Sequence, residues 1–363
     1  MKRILGLILT GSMLVGILTG CAGTPVVYYT ECKCDGCNCN NSTTAASNQN
    51  SVAEKEEVTL SEGALKTGLA IVSSVAKSED AKQADYDVTH VAVLVDDAGV
   101  IQDCIIDGIT TNVAFDEKGT ITSDLNAPVS TKNELGENYG MVAWGGAKYE
   151  WDVQADALAQ FAVGKTVEEL KNGAIDETGM APEGTDLAST ATIYLGGYVS
   201  AIEVAVANAK HLGAQAGDEL RMASINSLAS STGATDEKEG TAQLDSDVTA
   251  LTVKEDVITS CYIDSVQAKV SFDKEGKITT DLTAPVQTKN QLGENYGMVA
   301  WGGAIAEWDV QTAAFMEYVT GKTAAEVAGI AVNERTAPTD ADLATSVTIA
   351  IGGFQALIEK AMQ

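Results

Sequence analysis

From Val88, apolar and polar residues alternate through VTHVAVLVD (88–96), pass an Asp-Ala-Gly turn, and resume in VIQDCIID (100–107) and TNVAF (111–115), which ends at a DEKG turn. Period-two alternation, β-branched residues and Gly-containing turns predict an antiparallel meander. The same succession recurs in VTALTVKED (248–256), VITSCYID (257–264) and AKVSF (268–272). GLAIVSSVA (68–76) and DELRMASINSL (218–228) predict one earlier strand in each series. The period then lengthens. In YEWDVQADALAQFAVG (149–164), Trp151, Ala155, Leu158 and Ala162 fall on one helical stripe, and AEWDVQTAAFMEYVTG (306–321) repeats the pattern. A last helix is predicted near 198–210 and again near 354–362. The class is therefore α+β: two tandem homologous domains, each a small antiparallel sheet with packed helices.

The duplication is explicit in the letters. Residues 127–147, APVSTKNELGENYGMVAWGGA, match 284–304, APVQTKNQLGENYGMVAWGGA, at 19 of 21 positions with an offset of 157. Each copy is far longer than the roughly 20–50 residues of a solenoid unit and long enough for its own core. The copies also control one another, because a feature present in both is a candidate for shared structure or chemistry. The expected organisation is a leader (1–20), a Cys-rich segment and tether (21–57), repeat 1 (58–213) and repeat 2 (214–363).

The N-terminal leader sets the expected location. Lys2 and Arg3 precede the apolar run ILGLILTGSMLVGIL, which ends in Leu18-Thr19-Gly20-Cys21. That ending resembles the lipobox of bacterial lipoproteins. It implies cleavage before Cys21, diacylglyceryl transfer to its thiol, and anchoring on the extracytoplasmic face of the cell membrane. NNSTTAASNQNSVAEKEE (40–57) is polar and aperiodic and reads as a tether with a coil reach of about 25 Å. Without Lys2 and Arg3 the net charge of −28 becomes −30. No basic stripe is present to neutralise phosphates, which argues against a nucleic-acid partner.

Cys32, Cys34, Cys37 and Cys39 form a CxCxxCxC cluster eleven residues beyond Cys21. Four thiolates this close could hold a soft metal or an iron–sulfur centre. Local disulfides or redox-active thiols fit the close spacing and an oxidising compartment better. Cys104 and Cys261 occupy matching strand positions without a matching base, and read as buried apolar residues.

Several catalytic readings fail on the duplication. His90 aligns with Ala250, so no duplicated His-based triad or metal site exists. The two GKT triplets (164–166 and 321–323) lack the upstream glycine of a phosphate loop, and read as a helix-ending Gly followed by a capping Thr. The chain is accordingly not expected to be an enzyme.

One constellation recurs in both copies: Asp186-x-x-Ser189-Thr190-Ala191-Thr192 and Asp342-x-x-Thr345-Ser346-Val347-Thr348. It resembles the D-x-x-[S/T]-G-A-[T/S] motif of FMN-binding domains, in which a flavin transferase moves FMN from FAD onto the last hydroxyl. The resemblance implies Thr192 and Thr348 as phosphoester acceptors, with Asp186, Ser189, Asp342 and Thr345 as supporting residues. The family's Gly-Ala is replaced here by Thr190-Ala191 and Ser346-Val347, and a β-carbon at the glycine position disfavours positive φ. A better match to the short core, Ser231-Thr232-Gly233-Ala234-Thr235, has no counterpart in repeat 1 and reads as a turn, with Thr235 as the alternative acceptor. The TKxELGxxYGM…EW…Q…GKT series is similar to that of tandem FMN-binding lipoproteins of Gram-positive extracellular electron transfer. That likeness implies covalent FMN in each repeat, a membrane quinone-linked electron donor, and flavin-facing roles for Trp144 and Trp301. Tyr139, Trp151, Tyr296 and Trp308 could stack on a flavin or fill the core, and the helical Trp151 and Trp308 suit the core. The alternative is a cofactor-free surface lipoprotein that binds a small ligand or a protein through its two near-identical loops.

Overall fold

The structure, a computed structural model, describes residues 63–363, so the leader, Cys21, the Cys32–Cys39 cluster and the tether lie outside the described residues. Repeat 1 begins with three strands, β1 (Lys66–Ser74), β2 (Gln83–Val95) and β3 (Ile101–Ala114), in an antiparallel sheet of order β1-β2-β3. Repeat 2 repeats it with β4 (Glu219–Ser227), β5 (Gly240–Lys254) and β6 (Val257–Phe272). The main helices follow at Trp151–Ala162, Val167–Ala174 and Gly196–Asn208, and then at Trp308–Val319 and Gly352–Ala361. The fold is α+β.

The meander differs from expectation at one point. The segments expected as two strands at 100–107 and 111–115 merge into the single β3 (Ile101–Ala114), and those at 257–264 and 268–272 are likewise joined in β6. Gly108 carries β3 through, pairing with Thr89. A Cβ at Gly108 would stand 2.7 Å from the Val88 carbonyl oxygen, so the glycine permits a close cross-strand approach instead of making a turn.

Both faces of each sheet are covered. In β2, Val91, Val93 and Val95 point at the helices of repeat 1, where Trp151, Leu158 and Ile202 complete a core. The alternate residues Val88, Ala92 and Leu94 point the other way, into a core shared with Val248, Ala250 and Tyr262 of repeat 2. Leu251, Val253 and Ile263 of the second sheet meet Trp308, Phe315 and Leu357 in a third core. The layers are thus helices, sheet, sheet, helices. Two covered faces explain why Val91–Val95 is an unbroken apolar run where a half-exposed strand would alternate. Phe115, just past the end of β3, and Phe272, the last residue of β6, stack with centroids 4.0 Å apart. Each repeat has its own helix–sheet core, yet residues 63–363 belong to one compact unit.

Smaller expectations hold. Gly164 and Gly321 have positive φ after their helices, and Thr166 and Thr323 cap the next ones with capping boxes. Cys104 and Cys261 are buried and free; burial raises both thiols, Cys261 to about 12. Trp151 and Trp308 are buried in their cores. No helix of the described residues is long and apolar enough to cross a membrane.

Candidate functional site

The duplicated site is built around the first turn of the helix that begins at Trp151 or Trp308. Glu150 is the N-cap residue of the first helix, and Gln154 lies four residues on, so the two side chains share a face. The buried Glu150 carboxylate accepts from the backbone N–H groups of Met141 (2.8 Å) and Val142 (3.0 Å). This clamps the loop that carries Trp144. Gln154 is fully buried, and its amide oxygen accepts from Thr192 N (2.8 Å), Thr192 Oγ1 (3.1 Å) and Ile193 N (3.2 Å). Its Nε2 donates to the Tyr149 carbonyl at 2.8 Å, which fixes the orientation of the amide. One helical turn therefore fastens both the Trp loop and the Thr192 segment.

Repeat 2 reproduces the arrangement. Glu307 accepts from Met298 N (2.8 Å) and Val299 N (3.0 Å). Gln311 accepts from Thr348 N (2.8 Å) and Thr348 Oγ1 (3.1 Å), and donates to the Ala306 carbonyl at 2.8 Å. Thr192 and Thr348 are themselves exposed. Each hydroxyl spends its hydrogen on the glutamine and keeps its lone pairs toward solvent.

The supporting residues shape the segment before the acceptor. Asp186 opens the short helix Asp186–Thr190, where negative charge suits the helix dipole, and Ser189 Oγ donates back to the Asp186 carbonyl at 2.6 Å. Asp342 lies in the helix Ala341–Ala344, and Thr345 Oγ1 donates to the Asp342 carbonyl at 2.9 Å. Asp186, Ser189, Asp342 and Thr345 are all exposed.

The replaced Gly-Ala pair causes no conflict here. Thr190 closes its helix, and among the described non-glycine residues only Ala81, Glu255, Asp256 and Thr336 have positive φ. Neither Thr190 nor Ser346 needs a glycine's freedom. Ala191 and Val347 are buried, Val347 among Trp308, Phe315 and Leu343, so the bulkier side chain faces the core and not the acceptor oxygen.

Trp144 and Trp301 are 88% and 91% exposed. Each indole folds back on a glycine of positive φ: a Cβ at Gly140 would lie 2.2 Å from Trp144 Cδ1, and one at Gly297 2.4 Å from Trp301 Cδ1. Two large aromatic surfaces exposed at matching loops are a feature of binding surfaces. Beneath the loops, the Lys132 ammonium lies 5.7 Å and 5.0 Å from the ring centroids of Tyr139 and Trp151, and that of Lys289 lies 5.4 Å and 4.9 Å from those of Tyr296 and Trp308. These pairs cement the loop to the helix.

Thr235 lies in a turn, its Oγ1 accepting from Glu237 N and Lys238 N. Among the described residues no group of three or more His, Cys, Asp or Glu could hold a metal.

Glu150, Gln154 and their partners in repeat 2 had a signal in the sequence, since EWDVQ is identical in both copies (150–154 and 307–311). The pattern could not show that the glutamine meets a threonine 38 residues away. A hydroxyl held at a fixed, exposed position by a neutral amide suits covalent attachment of a phosphoryl-linked group. Compared with known proteins, the chain matches no family model, no curated protein and no solved structure.

Proposed function

We propose that this chain is a membrane-anchored extracytoplasmic flavoprotein that carries electrons through FMN bound to Thr192 and Thr348. Its halves are then two homologous FMN-binding-like domains. The observation that carries this reading is the doubled acceptor: two exposed threonine hydroxyls at equivalent places, each oriented by a buried glutamine.

Attachment requires FAD and a flavin transferase. Threonine Oγ1 forms a bond to the FMN phosphorus while the phosphorus–oxygen bond to AMP breaks, and AMP leaves. Gln154 and Gln311 are neutral amides and cannot take the hydroxyl proton, so the transferase supplies the base. The glutamines instead hold the oxygen facing outward, and their backbone contacts persist once the hydroxyl hydrogen is gone. Bound FMN supplies reversible electron transfer, while the protein sets position and environment. The electron donor in this reading is a quinone-linked membrane flavoprotein, reached through the lipid on Cys21.

Intact mass and peptide mapping of the mature protein, made in a host that flavinylates its own proteins, test the proposal. Adducts of one FMN-phosphoryl mass on the peptides holding Thr192 and Thr348 are expected. Absence of both overturns it and leaves the cofactor-free binding lipoprotein, which the exposed Trp144 and Trp301 favour as a docking surface.

A further inference from the structure

The two sites differ just past the acceptor. In repeat 1, Tyr194 lies flat on two glycines: a Cβ at Gly179 would stand 2.3 Å from Tyr194 Cε2, and one at Gly196 would stand 2.5 Å from the phenolic oxygen. The other side of the ring is open, and Tyr194 is 60% exposed. It borders a groove of about 320 Å³ lined also by Val72, Ser73, Asp87, Thr89, Ile193 and Tyr198. That volume falls at the lower end of small-molecule sites, roughly 300–1,000 Å³.

Repeat 2 has changed three residues around the equivalent place. Ala350 stands for Tyr194, Thr336 for Gly179, and Ile305 for Lys148. The first two changes are coupled in space. Thr336 Cβ lies 3.0 Å from where a Cβ of Gly352 would be, so it fills the position over Gly352 that the Tyr194 ring takes over Gly196. Thr336 does this at φ +57, a backbone conformation unfavourable for a β-branched residue. The third change concerns charge. Lys148 Nζ donates to the Ser189 carbonyl at 3.1 Å, three residues before the acceptor, whereas Ile305 is exposed and apolar.

We propose that repeat 1 docks the isoalloxazine ring on Tyr194 in this groove, with Lys148 beside the phosphodiester, and that repeat 2 leaves its ring undocked, making the two flavins inequivalent carriers. The inference rests on the covalent FMN reading. Chain geometry permits it: two residues advance the backbone by at most about 7 Å, a span the ribityl chain covers. The phenol ring offers a stacking face of the kind aromatic pairs use. From its place on the Ser189 carbonyl, Lys148 is assigned to the negative charge of the phosphodiester.

The test uses the mature protein flavinylated in its host. Thr348→Ala leaves one flavin on Thr192, and Thr192→Ala leaves one on Thr348, with intact mass confirming a single adduct in each. An electron-rich phenol stacked on a flavin quenches its emission. Flavin on Thr192 is expected to be several-fold dimmer and higher in anisotropy than flavin on Thr348. Tyr194→Ala should restore its brightness and leave flavin on Thr348 unchanged. The double replacement Thr336→Gly with Ala350→Tyr should transplant the platform and dim the flavin on Thr348, which keeps the test available if Tyr194→Ala misfolds. Equal emission at both sites, or no response to either set of changes, overturns the dock while the mass adducts still stand. No adduct at either threonine removes the flavin reading and the dock together.

Discussion

Gln154→Ala is the sharpest probe of the site. The side chain is fully buried, and its amide oxygen receives three hydrogen bonds, from Thr192 N, Thr192 Oγ1 and Ile193 N. Alanine replaces none of them. The Thr192 hydroxyl is exposed and can turn to water, so its loss weighs little. The two N–H groups and the Tyr149 carbonyl lose their partner, at about 1–3 kcal/mol for each group left unsatisfied. Water entering the vacated space recovers part of that. We predict a net loss of about 2–4 kcal/mol. In a unit of roughly 300 residues, 1 kcal/mol moves Tm by about 2 °C, so the drop should be about 4–8 °C by calorimetry. Gln311→Ala should fall at the lower end of that range, because its oxygen receives two bonds, from Thr348 N and Oγ1, where that of Gln154 receives three. In peptide mapping, Gln154→Ala should lower adduct yield on Thr192 several-fold and leave Thr348 untouched. A Tm within about 1 °C of the parent together with undiminished Thr192 adduct would refute the claim that this glutamine presents the acceptor.

Four other outcomes are expected. Phe272→Ala removes one half of the stack between the sheets and should cost about 3–5 kcal/mol; calorimetry should still show one transition, and separate melting of the repeats would contradict a shared core. Asp264, raised to about 6 chiefly by burial, binds its proton more tightly folded than unfolded, so its contribution to stability is full below about pH 4 and is lost as pH rises through about 6. Asp264→Asn can keep the bonds from Ser265 N and Asn290 N, and its Tm advantage over the parent should therefore grow from pH 4 to pH 7. His90, lowered to about 3 by burial and by Lys132 and Lys360, has the opposite sign: its contribution is lost as pH falls below about 6.5, and His90→Gln should flatten the acid limb of the stability curve. Trp144→Phe with Trp301→Phe should abolish most acrylamide quenching of indole emission, because Trp151 and Trp308 are buried.

Much of this fold is legible because local pattern and tertiary environment agree. Strands β1 and β4, the helices beginning at Trp151 and Trp308, and the caps at Thr166 and Thr323 all lie where periodicity and punctuation place them. The continuity of β3 was hidden by Gly108, a residue whose usual reading is a turn; its reason, the approach of the Val88 carbonyl, belongs to the neighbouring strand. The sheet–sheet core had a trace in the apolar run Val91–Val95, but no local rule says what covers the second face. His90 shows the same limit. It sits between Val88 and Ala92 on the inward face, against Ser246 of the other repeat, while its aligned partner Ala250 also lies in that core. At the site, the Gly-to-Thr change at position 190 looks severe in a motif but falls at a helical residue that needs no positive φ.

The pattern of retention and change between the repeats separates what the site requires from what each copy does with it. Glu150, Gln154 and Thr192 have identical partners in repeat 2, with matching bond lengths and the same helix turn as frame. Shared stability alone would not demand this, since the surrounding core tolerates Tyr198 becoming Phe354 and Ala191 becoming Val347. What is kept is the presentation of an exposed hydroxyl and an exposed indole from one helical turn. What differs, Ile305, Thr336 and Ala350 in place of Lys148, Gly179 and Tyr194, takes no part in holding that hydroxyl. The difference also runs against backbone strain, because Thr336 holds at φ +57 a conformation of the kind that Gly179 holds freely at φ +78 in repeat 1. On the proposed FMN reading, two hydroxyls with one mode of presentation and two different surroundings fit a pair of carriers tuned apart better than a simple doubling of capacity.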